Sequence, residues 1–84
     1  MSRAEKTLDQ VLHGAADANI RFDDVRHLLL RLGFEERTRG SSHHIFKLPG
    51  IEEMINLQRD GSHAKPYQVK QVRTVILKYH LVEF

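Results

Sequence analysis

Residues 34–58 read FEERTRGSSHHIFKLPGIEEMINLQ, and three short runs inside that stretch decide the fold. From Phe34 to Arg39, apolar or small residues (Phe34, Thr38) alternate with charged ones (Glu35, Arg37, Arg39). From Ser42 to Leu48, His44, Phe46 and Leu48 share one face and His43, Ile45 and Lys47 the other, because side chains alternate along a strand. From Glu52 to Gln58, Met54 and Asn56 oppose Ile55 and Leu57, after a turn at Pro49-Gly50. Short connections between successive strands predict an antiparallel meander.

Helices flank this stretch. Phe22, Val25, Leu28, Leu29 and Leu32 mark one helical face, Asp23 and Asp24 favour its positive end, and Gly33 follows its last turn. Downstream, Asp60-Gly61-Ser62 opens a polar loop. Pro66 then starts a helix in which Val69, Val72, Ile76 and Tyr79 recur at three, four and three, with Lys70, Arg73 and Lys78 on its other face. Near the N-terminus, Leu8, Val11, Leu12 and Ala15 make Ala4 to Ala15 a short amphipathic helix, ended by Gly14 or the AADAN stretch. The expected architecture is α+β: a three-stranded antiparallel sheet with helices on one face and the other face open. Residues 21–84 form the α-β-β-β-α core and residues 1–20 a helical extension.

Composition bounds the function. An 84-residue chain is one domain, and at this size only about 60% of the unfolded surface is buried, so any site is shallow. With no cysteine, disulfides and thiolate metal sites are excluded. The start MSRAEKTLDQ is too polar for a signal peptide, and no apolar run approaches the roughly 20 residues that span a bilayer, so a cytoplasmic, non-membrane protein is expected. Residues 1–36 carry five Lys/Arg and seven Asp/Glu, net −2; residues 37–84 carry eight and four, net +4. Such a concentrated positive field suits a polyanion, and equally a solvated basic face.

The sharpest chemical feature is Gly40-Ser41-Ser42-His43-His44-Ile45-Phe46. If Phe46 faces the core, His44 follows it inward and His43 points outward beside Arg39 and Lys47. An imidazole changes protonation near neutral pH, and cations beside it would hold a phosphate backbone. RNA brings its own nucleophile, the 2′-hydroxyl, so one placed histidine gives roughly 10²–10⁴-fold in rate without an obligatory metal or other cofactor. The competing reading is a plain turn leading into a strand. His43, His44, His63 and His80 lack metal-ligand spacing, and Glu52-Glu53 and Asp23-Asp24 read as a strand edge and a helix start. His63, in the polar loop, is a candidate acid partner; His13, His27 and His80 receive no role.

The segment Phe22 to Leu81 resembles the HicA toxin family. The matches are Leu32-Gly33-Phe34 after a helix, then Arg39-Gly40-Ser41-Ser42-His43-His44-Ile45-Phe46, then Lys65-Pro66-Tyr67-Gln68-Val69 opening a final helix that ends Val75-Ile76-Leu77-Lys78-Tyr79. The resemblance implies a double-stranded-RNA-binding-like fold, ribonuclease action on mRNA and neutralisation by a cognate HicB antitoxin. It also implies that the first histidine of the pair, His43, is catalytic. Arg39, Gly40, Ser41, Ser42, Lys47, Lys65 and Lys70 are the expected RNA contacts. A non-catalytic RNA-binding module on the same fold is the alternative, and a pure protein-interaction domain a third reading.

Overall fold

Ser2 caps the first helix, its Oγ accepting the Glu5 amide at 3.2 Å, and α1 runs Arg3–His13. The computed structural model describes residues 2–40 and 43–82. Gly14 ends α1 at φ +71, a left-handed conformation that costs little without a Cβ. A single 3-10 turn, Asp17–Asn19, leads to α2, Phe22–Arg31. The end of α2 is a Schellman motif: Gly33 N–H bonds Leu30 O and Phe34 N–H bonds Leu29 O, with Gly33 at φ +102.

The three expected strands follow as β1 (Glu35–Arg39), β2 (His43–Lys47) and β3 (Met54–Leu57), paired antiparallel in the order β1-β2-β3. Glu36 faces Phe46 and Arg39 faces His43; on the other side, Phe46 faces Ile55 and His44 faces Leu57. Chain order and sheet order therefore agree, as in a meander. The final helix, α3, spans Pro66–Lys78 with proline in its first turn. Its Val69, Val72, Val75 and Ile76 enter the core.

One sheet face is covered by the helices. Phe46, Ile55 and Leu57 project from it into a core shared with Phe22, Val25, Leu28 and Leu29 of α2. Phe22 and Phe46 are fully buried, and truncating either to alanine removes about 3–5 kcal/mol of stability. The segment before residue 21 belongs to the same core: Val11 is 0% and Ile20 1% exposed, and Leu8 and Leu12 pack against them. Arg73 of α3 fastens this segment, donating to Val11 O at 3.0 Å and pairing with Asp17 at 3.0 Å.

The stretch read as a polar loop after β3 holds a second, two-stranded sheet. Arg59–Asp60 (β4) pairs with His63–Ala64 (β5) around Gly61-Ser62. Ala64 N–H donates to Ile20 O and Phe22 N–H to Ser62 O, so the hairpin also grips the entry to α2. Two-residue strands are too short to show alternation, which is why the sequence pattern carried no sign of them.

Candidate functional site

Strand alternation places His43 on the uncovered sheet face and His44 beneath the sheet. Glu35, Arg37 and Arg39 of β1, His43, Ile45 and Lys47 of β2, and Met54 and Asn56 of β3 share the open face by register. A broad hollow on this face is lined by Glu35, Arg37, Arg39, Ile45, Lys47, Pro49, Gly50 and Met54. Three cations thus stand against one carboxylate. Arg37, Arg39 and Lys47 have no ion-pair partner among the described residues. Such a surface attracts a polyanion, with Ile45 and Met54 as apolar neighbours of the cations.

His43 is exposed at the head of β2, opposite Arg39. Gln58 continues the β3 register to the position facing it. Gln58 Nε2 lies 2.9 Å from His43 Nδ1, and Gln58 Oε1 accepts from Lys65 Nζ at 3.0 Å. The backbone N–H of Gln58 donates to Oε1 of Gln68, a side chain only 2% exposed, at 2.7 Å. Lys65 is the residue before α3 begins, so the helix start and the strand end converge on the imidazole.

His44 has different surroundings. Its Nδ1 donates to Glu36 Oε2 at 2.9 Å, and Glu36 is also held by Arg26 Nε and Nη2 at 2.8–3.0 Å. The Arg26 hydrogen bond holds the Glu36 carboxyl below the usual carboxylate range; burial opposes this and His44 adds to it. The His44 ring meets the edge of Phe22, centroids 4.9 Å apart, and Arg59 covers Phe22 at 4.2 Å while pairing with Asp23. This cluster ties α2 to the underside of the sheet.

The other expected contacts are divided. Arg39 stands opposite His43, Lys65 reaches toward it through Gln58, Lys47 lies on the open face at the far end of β2, and Gly40 leads out of β1 at φ +63. Ser41 and Ser42 lie outside the described residues. Lys70 is exposed on α3 between Val69 and Val72, which point into the core, so it projects away from the sheet and not onto the open face. Of the other cations on that helix, Arg73 is bonded to Asp17 and Val11, and Lys78 pairs with Glu53. His63 lies in β5 with Nδ1 3.3 Å from Ser62 Oγ. Arg37 and Gln58 join the site without having been expected there; counting the β2–β3 register from His44 opposite Leu57 would have found Gln58.

Among the described residues, no three or more His, Asp or Glu side chains converge as metal ligands, and no helix is long and apolar enough to cross a membrane. Fold and site define a small α+β domain with a cationic open sheet face that presents one histidine. Comparison of the chain with family models, curated proteins and solved structures finds no match.

Proposed function

We propose that this protein is a HicA-like toxin, an endoribonuclease that cleaves mRNA with His43 as its catalytic residue and without a required metal. The observation that carries this reading is the exposed His43 imidazole on a sheet face with Arg37, Arg39 and Lys47 in surplus over Glu35. The chemistry needs little more. The RNA 2′-oxygen bonds to phosphorus, the bond to the 5′-oxygen breaks, and His43 exchanges a proton with the 2′-hydroxyl or the leaving oxygen. Arg39, opposite His43, holds the reacting phosphate and spreads its developing charge, while Arg37 and Lys47 hold neighbouring phosphates. A double-stranded-RNA-binding-like fold, a cognate HicB-like antitoxin and a cytoplasmic setting complete the proposal, and they rest on the resemblance of residues 22–81.

One feature favours a second reading, a non-catalytic RNA-binding module. Among the described residues the polar side chain against the His43 ring is Gln58, which cannot itself take or give a proton at neutral pH. Incubating the protein with RNA in excess EDTA separates the two readings. Cleavage by the wild type is the expected result; salt-dependent binding with no turnover establishes the module instead.

A further inference from the structure

A single exposed aromatic is ordinary on a protein surface, so its position decides what Tyr67 can do. Gln71 of α3 donates to Met54 O at one end of β3, and Gln68 accepts from the Gln58 N–H just past the other end. The helix therefore runs antiparallel to β3 along its outer edge. Tyr67 lies one turn before Gln71 on the same flank of α3, about 6 Å nearer the end of the sheet that carries His43. Two residues of a strand cover a similar length, which sets Tyr67 beside β3 about level with Asn56. Asn56 is exposed on the open face, and Gln58, the next residue of that parity, rests against His43.

The Tyr67 ring is restrained without being covered. Gln68, 2% exposed, has its Oε1 taken by the Gln58 N–H, so its Nε2 is the atom that donates to Tyr67 Oη, at a long 3.4 Å. That contact steadies the hydroxyl tip, yet Tyr67 is 62% exposed. Among the described residues Phe22, Phe34 and Phe46 are buried and Tyr79 is half-buried with its hydroxyl on Glu53, so Tyr67 is the phenol or phenyl ring open to solvent. Its surroundings suit a polyanion: Lys65 stands two residues before it, and residues 61–82 contain no acid. We infer that Tyr67 stacks on an unpaired base of RNA flanking the phosphate at His43, which makes single-stranded RNA the substrate class of this site. Every base has a π-face, so such a platform adds affinity at any sequence, whereas a duplex keeps the faces of its bases covered by their neighbours. The inference rests on the ribonuclease reading and names the form of RNA that reading requires. Tyr67 binds substrate here and takes no part in proton transfer.

The test is an anisotropy titration of the full chain with a dye-labelled 2′-O-methyl RNA oligonucleotide, which has no free 2′-hydroxyl to react. Tyr67→Ala is expected to bind the single strand roughly 5–150-fold more weakly, with the dependence on salt unchanged because no phosphate contact is lost. Tyr67→Phe keeps the wild-type affinity and Tyr67→Leu does not, since the flat ring and not apolar bulk is what stacks. The same oligonucleotide annealed to its complement binds wild type and Tyr67→Ala alike. Equal single-strand affinity in wild type and Tyr67→Ala overturns the platform while RNA binding itself stands. Should Tyr67→Ala fail to fold, equal affinities in Tyr67→Phe and Tyr67→Leu overturn it just as well. A wild type that prefers the duplex overturns the substrate class. A wild type that binds neither form overturns the ribonuclease reading, and the platform with it.

Discussion

His43 and His44 are adjacent in sequence and meet opposite fates: one is exposed above the sheet, the other bonded to Glu36 beneath it. Strand alternation alone made that division readable, because the inward Phe46 fixes the parity of every residue in β2. The partners were not readable. Glu36 finds Arg26 ten residues away and His44 eight away, through packing that no local pattern encodes. Glu36 is 14% and His44 17% exposed at the side chain, so removing the carboxylate strands the imidazole, whereas Arg26, 43% exposed, is taken up by water. Glu36→Ala is expected to cost roughly 1–2 kcal/mol in urea unfolding. The pH dependence has a definite sign. Because the folded-state carboxyl titrates below its ordinary value, its stabilisation is complete above about 4.3 and is lost as acid takes the pH through the lower folded value. Glu36→Gln should therefore lose stability less steeply than the wild type in that acid window.

At the scale of elements, helices announced themselves by periodicity and their caps by residue type, except at one end. α3 closes with the same motif as α2: His80 N–H bonds Leu77 O and Leu81 N–H bonds Ile76 O. The left-handed position, however, is filled by His80 at φ +49, where a Cβ is strained. His80→Gly is expected to stabilise the protein by about 1 kcal/mol, read as a rise of roughly 4–8 °C in Tm. The basic face of α3 shows where sequence reading stopped. Lys70, Arg73 and Lys78 looked equivalent, but Arg73 and Lys78 are taken up by Asp17 and Glu53 from distant segments. The cations that share the open face, Arg37, Arg39 and Lys47, lie on β1 and β2. Arg39→Ala should accordingly lower the salt dependence of RNA binding by about one counterion, whereas Lys70→Ala should leave it unchanged. Titrations across a salt series read both.

For the molecule as a whole, the layer order was legible because each element carried its own periodicity, but the standing of the first twenty residues was not. An amphipathic stripe tells that α1 must pack, not that Val11 and Ile20 will be fully buried in the core or that Arg73 will clamp the segment. Residues 21–84 expressed alone are expected to lose cooperative urea unfolding, since so small a domain has little stability to spare. Retained cooperativity would make the segment an appendage. The uncovered sheet face is likewise a property of the whole, left over when all three helices stack on the other side. What that face does is decided most directly by comparing RNA cleavage by wild type and His43→Ala in excess EDTA, at RNA concentrations giving equal occupancy. A loss of roughly 10²–10⁴-fold in rate with affinity preserved is expected. Equal cleavage by the two proteins would contradict a catalytic imidazole at position 43.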